Sequence, residues 1–391
     1  MTETARTQGI KPFYAMDVLE RAQELERQGV KIIHLEVGEP DFDVPPAVKD
    51  AVCSAMDNGH THYTNSMGMP ELRQAIADDY HKKYGVVVSP ERIAVTNGTS
   101  PAMFMLFAAL LEQGDEVIIS DPHYACYPSF ITFAGGEPVK VPVLEEDGFQ
   151  YRVDAIKKKL TSRTRAIFIN SPSNPTGNQL PAERMARIAA LGLPVISDEI
   201  YHGLEYGEKE HTILEFTDNA FVFNGFSKLY AMTGLRLGYL ISPGAYVPVM
   251  RKLCQNFFIS PNAVSQMAGI AALTQCEHDV NRMRIIYDER RKFMIRRLRE
   301  IGFGITVEPT GAFYVLANAR FLSDDSYKLA FEILENAHIG VTPGIDFGQG
   351  AEGYIRFSYA NSLENIHEAM NRLELFVKER QQTEGCKAFA V

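Results

Sequence analysis

The chain has 391 residues, with 39 Lys+Arg against 49 Asp+Glu and a formal net charge of -10. That length exceeds one ordinary core and predicts two unequal domains. The acidic balance argues against a nucleic-acid partner, for which a basic face is expected, and points to small molecules and a second copy of the chain as partners. Five cysteines (Cys53, Cys126, Cys254, Cys276, Cys386) stand far apart with no CxxC pair. This favours reduced thiols in the cytoplasm over a disulfide framework or a metal site. The N-terminal MTETARTQGIK lacks the apolar centre of a signal peptide, and the longest apolar run, MFMLFAALL at 103–111, is too short to cross a membrane. A soluble protein is expected, with a polar tail from Lys378 that lacks structure.

In chain order, MDVLERAQELERQG (16–29) carries apolar residues at helical spacing and stops at Gly29; KIIHLEVG then reads as a strand. The prolines of GEPDFDVPPAV delay the next helix to about 46–58 and leave Gly38 and Glu39 on a loop. Tyr63 follows on a polar turn in HYTNSMGMPELR, where by itself it reads as an ordinary surface or packing residue. RIAVTNGTSPAMFMLFAALLEQG reads strand, small polar turn, helix, with Pro101 in the first turn. Two explanations of Asn97, Gly98, Thr99 and Ser100 fit equally: simple capping by Thr99 or Ser100, or a cradle of free N–H groups for a phosphate.

Short apolar strands follow at DEVIIS, RAIFIN (165–170) and PVIS, each separated from the next by a helical segment. That is the pattern of a parallel sheet covered by helices on both faces. In open sheets of this kind ligands lie beyond the carboxyl ends of the strands. Tyr124, Asn174, Asp198, Tyr201 and the 97–100 turn all fall there. So does Lys228, in FVFNGFSKLYAMTGLRLGYLIS (221–242), where it and Arg236 are the two cations of an otherwise apolar or small-residue run. Charged groups in such surroundings need partners. Either their tips reach water or carboxylates, or Lys228 is a desolvated amine suited to a Schiff base and Arg236 meets an anion.

After Gly244 helices are expected at about 245–258, 261–276 and 278–300. A smaller α+β unit follows, with strands near ITVEP and GAFYVLAN, a helix at 325–336, the GVTPGIDFG turn, the strand EGYIRFSYA and a closing helix at 363–379. Arg356, between aromatic neighbours in YIRFSY, is either an outward strand arginine or a guanidinium fork for a carboxylate. Tyr14 and Phe313 either cover a ligand or pack in the core.

Nine segments together resemble the class I and II aminotransferases, fold type I enzymes of pyridoxal 5′-phosphate (PLP), in their bacterial aspartate-aminotransferase-like subgroup. They are VGEPDF, HYTNSMGMPELR, VTNGTSPA, DPHYACY, NSPSNPTG, SDEIYHGL, FSKLYAMTGLRLGY, PTGAFY and YIRFSYA, in order across residues 11–376. The resemblance implies an α/β fold: a large PLP-binding domain (45–280) with a mainly parallel seven-stranded sheet, and a smaller α+β domain (1–44 and 281–391).

By position, the resemblance implies that Lys228 holds PLP as a Schiff base and shuttles the proton in catalysis. Asp198 pairs with the pyridine nitrogen, Tyr201 and Asn174 bond the ring's 3′-oxygen, and Tyr124 stacks on its face. Gly98, Thr99, Ser100 and Arg236 hold the phosphate, and Tyr63 reaches the cofactor of the neighbouring subunit in a homodimer. Arg356 takes the substrate α-carboxylate beside Gly38 and Asn174. Many relatives carry a serine where this chain has Gly225, which leaves open whether Ser227 takes over that phosphate contact. The arginine by which dicarboxylate-specific relatives reach across the dimer has no counterpart between Arg251 and Arg282, so a preference for aspartate is not carried over.

The implied reaction is ping-pong exchange of an amino group between an L-amino acid and a 2-oxo acid. PLP-dependent β-elimination or C–S lysis on the same scaffold is one alternative, and a non-enzymatic PLP-binding regulator another, because cofactor anchors do not fix which bond breaks.

Overall fold

The computed structural model describes residues 4–388. Its strands are β1 (Ile33–His34), β2 (Ile93–Thr96), β3 (Glu116–Asp121), β4 (Glu137–Pro142), β5 (Thr164–Asn170), β6 (Val195–Asp198), β7 (Ala220–Gly225), β8 (Gly238–Ile241), β9 (Tyr314–Asn318), β10 (Ile339–Gly340), β11 (Thr342–Pro343) and β12 (Tyr354–Ser358). Seven of them form one sheet in the order β2-β8-β7-β6-β5-β3-β4. All neighbours in it are parallel except the two pairs that β8 makes with β2 and β7.

The period-2 rule of a strand is visible because both faces are covered. Ile118, Ile167, Val195 and Val222 pack on one side, while Val117, Ile119, Phe168, Ile196, Phe221 and Phe223 pack on the other. Continuous apolar strands are what such burial requires.

Two of the seven strands escaped the sequence reading. β4 carries Pro138 and Pro142, a residue type disfavoured inside sheets, and is tolerated because it lies at the sheet edge, where a missing N–H costs no ladder bond. β8 is hidden inside the 221–242 run.

The second sheet is antiparallel, ordered β11-β12-β9. The segment after the helix Tyr14–Arg27 joins this part of the chain, since β1 pairs with β10 through Ile33 and Ile339. ITVEP is not a strand. Its Ile305 and Pro309 carbonyls accept from the side chains of Arg299 and Arg291 on the helix Glu277–Ile301, so no strand partner takes them.

The last helix runs Leu363–Ala388, beyond the expected stop at 379 and into the tail expected to lack structure. Val377 is buried on it, and Lys378 pairs with Glu374 one turn back at 2.5 Å, so an apolar face and an i, i+4 ion pair carry the helix onward. Cys53, Cys126, Cys254 and Cys276 are free thiols; Cys386 lies outside the residues whose side chains are described. Among the described residues no helix is long and apolar enough to cross a membrane.

Candidate active site

A cavity of about 280 Å³ opens at the carboxyl ends of β5, β6 and β7, where an open parallel sheet leaves unpaired backbone and loop residues. Gly38, Thr99, Ser100, Tyr124, Asn174, Asp198, Tyr201, Ser227, Lys228, Arg236 and Arg356 line it. The chain brings these eleven expected residues together from positions more than 300 apart in sequence. Gly98 stands immediately behind them, while Tyr63 does not line this cavity and is 84% exposed.

Lys228 follows β7 by three residues and is partly buried. Its Nζ donates to the Gly38 carbonyl at 2.5 Å. Burial brings its pKa down to about 8; the charges of Arg356 and Arg236 push the same way, against Glu39 and Asp198. Asp198 ends β6 and is 4% exposed. Burial lifts its carboxyl to about 6, although Oδ2 accepts from the Tyr127 hydroxyl at 2.7 Å and Oδ1 from the Ile200 N–H at 3.2 Å. An acid and an amine, each pushed toward neutrality, thus face one space, the usual mark of a reactive site.

The 97–100 turn is not a simple cap. The helix Thr99–Leu110 begins at Thr99 itself, its N-cap is Gly98 at φ 94°, and no side chain caps it. Its first N–H groups and its dipole are left for an anion. Gly98 is required there: a Cβ would stand 2.6 Å from the Arg236 guanidinium as well as demand a left-handed backbone. Arg236 itself is exposed, and among the described residues its guanidinium donates to the Thr233 carbonyl alone, at 3.0 Å. Of the readings open for this cation, its tip reaches water, and from the 233–236 turn it also lines the cavity, where an anion can meet it.

Arg356 is buried on β12 over the Tyr314 ring (4.4 Å) and the Phe347 ring (5.0 Å). Nη1 donates to Asn174 Oδ1 at 2.9 Å, and Nη2 donates to the Glu36 carbonyl at 2.5 Å and Thr342 Oγ1 at 2.9 Å. Its Nε is buried with no partner. Because Asn174 spends its oxygen on Arg356, its amide N–H groups stay available. The Asn174 backbone is fixed in turn by Asn170 Oδ1 at 2.8 Å.

Tyr201 shares a hydrogen bond of 2.8 Å with the Tyr314 hydroxyl, and Tyr124 lies edge-on to Phe13 at 6.3 Å. Position 225 is glycine for a steric reason: a Cβ would meet Gly238 Cα and the Leu237 carbonyl at 2.9 Å, so no serine fits between β7 and β8. Ser227 is buried and faces the cavity.

Neither Tyr14 nor Phe313 covers the cavity. Phe313 is fully buried in the core and Tyr14 packs on Tyr327 at 4.9 Å. Sequence reasoning missed Tyr127, Tyr314, Asn170 and Thr342, which brace the expected residues, and Phe13, Met16 and Leu19, which line the cavity. Tyr127 was within reach, three residues after Tyr124 in DPHYACY.

Residues 30–373 match the model of the family "Aminotransferase class I and II". The chain is 40% identical to the (5-formylfuran-3-yl)methyl phosphate transaminase of Methanocaldococcus jannaschii, over 95% of this chain and 98% of that one. It is 39% identical to the aspartate/prephenate aminotransferase of Thermus thermophilus, over 94% and 96% of the two chains. The structure of the Thermus thermophilus aspartate aminotransferase with maleate superimposes with a TM-score of 0.92 at 37% identity, over 96% of this chain and all of that one. Similar throughout its length to such enzymes, the chain belongs to the class I and II aminotransferases, whose cofactor is pyridoxal 5′-phosphate.

Proposed function

We propose that this cavity performs the amino-group exchange of the family, between an L-amino acid and a 2-oxo acid, with the residues in the roles given by their positions. The observation that carries this reading is the pairing of Lys228 and Asp198 in one cavity with opposite pKa shifts.

The residues suit PLP. The uncapped start of the helix at Thr99, the hydroxyls of Thr99, Ser100 and Ser227 and the exposed Arg236 match a phosphate dianion. Asp198, costly to ionise when it faces no cation, matches a protonated ring nitrogen. Asn174 and Tyr201 offer donors for a ring oxygen, and Tyr124 offers a flat face. Bound there, the cofactor supplies a carbonyl that takes up the amino group and a ring that withdraws electrons from the substrate Cα.

Arg356 binds the substrate α-carboxylate through its guanidinium, which lines the cavity and is held by Asn174, Glu36 and Thr342 and by the Tyr314 ring beneath it. Lys228 Nζ carries the cofactor. Its free amine would take the proton from the substrate Cα as general base and, as general acid, give it to the cofactor carbon that keeps the amino group. Its lowered pKa brings that amine close to working pH.

Further parts of the reading are a cytoplasmic homodimer and a division into a large domain (45–280) and a small one (1–44 with 281–391). The exposed large apolar side chains of Tyr63, Phe257 and Ile259 support contact with a second copy, with Tyr63 reaching its cofactor. The strands of the seven-stranded sheet all fall within 93–241, in keeping with the division.

The test is to incubate the purified, PLP-loaded protein with a panel of amino acids and 2-oxo acids. We expect conversion of one 2-oxo acid into its amino acid with no release of ammonia. Ammonia and pyruvate formed without exchange would assign a β-elimination instead.

A further inference from the structure

Resting on the aminotransferase reading above, we propose that the amino donor carries a large uncharged side chain, and that Phe13, Met16 and Leu19 select it. These three residues begin the helix Tyr14–Arg27, with Phe13 at its N-cap, and all line the cavity. A spacing of three residues sets them along one side of the helix, beside the stripe of Ala15, Val18, Ala22 and Leu25 that is buried in the core. Met16 is 45% exposed although apolar. A methionine facing an open cavity is an adaptable apolar wall awaiting an apolar partner.

The charges of the cavity leave no place for a second substrate carboxylate. Among the described residues that line it, three carry a positive charge: Lys228, Arg236 and Arg356. In the proposed function these are spent on the cofactor carbonyl, the phosphate and the α-carboxylate.

The start of the helix offers no fourth positive group, because it is already neutralised. Its Tyr14 and Ala15 N–H groups donate to the two carboxylate oxygens of Asp346, at 3.0 and 3.1 Å. Glu36 also lines the cavity. A distal carboxylate would therefore lose its water against Phe13, Met16 and Leu19 and gain no partner, while an aromatic or branched aliphatic group would bury apolar surface there.

The experiment follows one half-reaction at a time. PLP-loaded protein is mixed with phenylalanine, leucine, aspartate or glutamate and no acceptor, and the visible absorbance of the bound cofactor is recorded. The expected result is that phenylalanine or leucine reacts at least ~100-fold faster per unit concentration than either acidic amino acid. Acidic amino acids reacting as fast or faster would overturn the proposal. No response to any amino acid would instead overturn the aminotransferase reading on which it rests.

Met16→Lys and, independently, Leu19→Ala assign the residues. Each should lower the preference for phenylalanine over aspartate by about 10-fold, through KM more than kcat. The absorbance of the loaded protein before mixing reports that the site is intact. An unchanged preference in both variants would show that this side of the helix does not select the substrate.

Discussion

Two sides of one cavity are built differently. The wall at the ends of β6 and β7 presents isolated reactive groups, Asp198 and Lys228, each shifted toward neutrality by burial. The opposite side, made by residues 13–38 and β12, holds a single arginine clamped by three protein oxygens and an otherwise apolar stretch of helix. The first wall keeps its groups costly and available; the second ties its polar groups to one another and leaves a guanidinium edge and an apolar surface. The difference separates chemistry from recognition, so substitutions on the two walls should act on different kinetic constants.

The largest effect short of losing Lys228 is expected on the sheet wall. Asp198→Asn removes the charge that faces the cofactor's ring, and kcat should fall by on the order of 10³-fold with little change in KM. A change confined to KM would break the proposed division. On the other wall, Arg356→Gln should cut kcat/KM by about 100-fold, chiefly through KM, because a charge-assisted contact to the α-carboxylate is lost. Steady-state kinetics with one donor and varied acceptor separates the two constants. Smallest is Tyr127→Phe. It removes a 2.7 Å hydrogen bond from Asp198, which should raise the Asp198 pKa further and lower kcat by a factor of about 3–10 at neutral pH. Activity that recovers as pH rises marks this as positioning; a pH-independent loss would mark simple misfolding.

The two walls also differ in how far the sequence disclosed them. Lys228, Asp198, Asn174 and the turn before Thr99 stand at strand ends that short apolar runs announce, so topology alone gathers them. What holds Arg356 was not legible. Glu36 is 320 residues from it, brought in by the short pairing of β1 with β10, Thr342 faces it only through the β11–β12 register, and no periodicity signals a carbonyl that will accept from a guanidinium. The apolar stripe 13-16-19 was hidden for another reason: its spacing is that of any amphipathic helix, and only packing decides which side faces core and which faces a cavity. β4 was lost because proline argues against a strand until its edge position is known. Gly225 could be noted as a departure from relatives, but its cause, the close approach of β8, exists only in three dimensions.

The account depends on Lys228 forming the covalent link to the cofactor. Loading the protein with PLP, reducing with borohydride and mapping the modified peptide by mass spectrometry tests this directly. The account predicts one modified residue, Lys228, and Schiff-base formation on adding PLP to the cofactor-free protein that becomes faster as pH rises through about 8, where its amine loses its proton. Modification of another lysine, or none at Lys228, would contradict it.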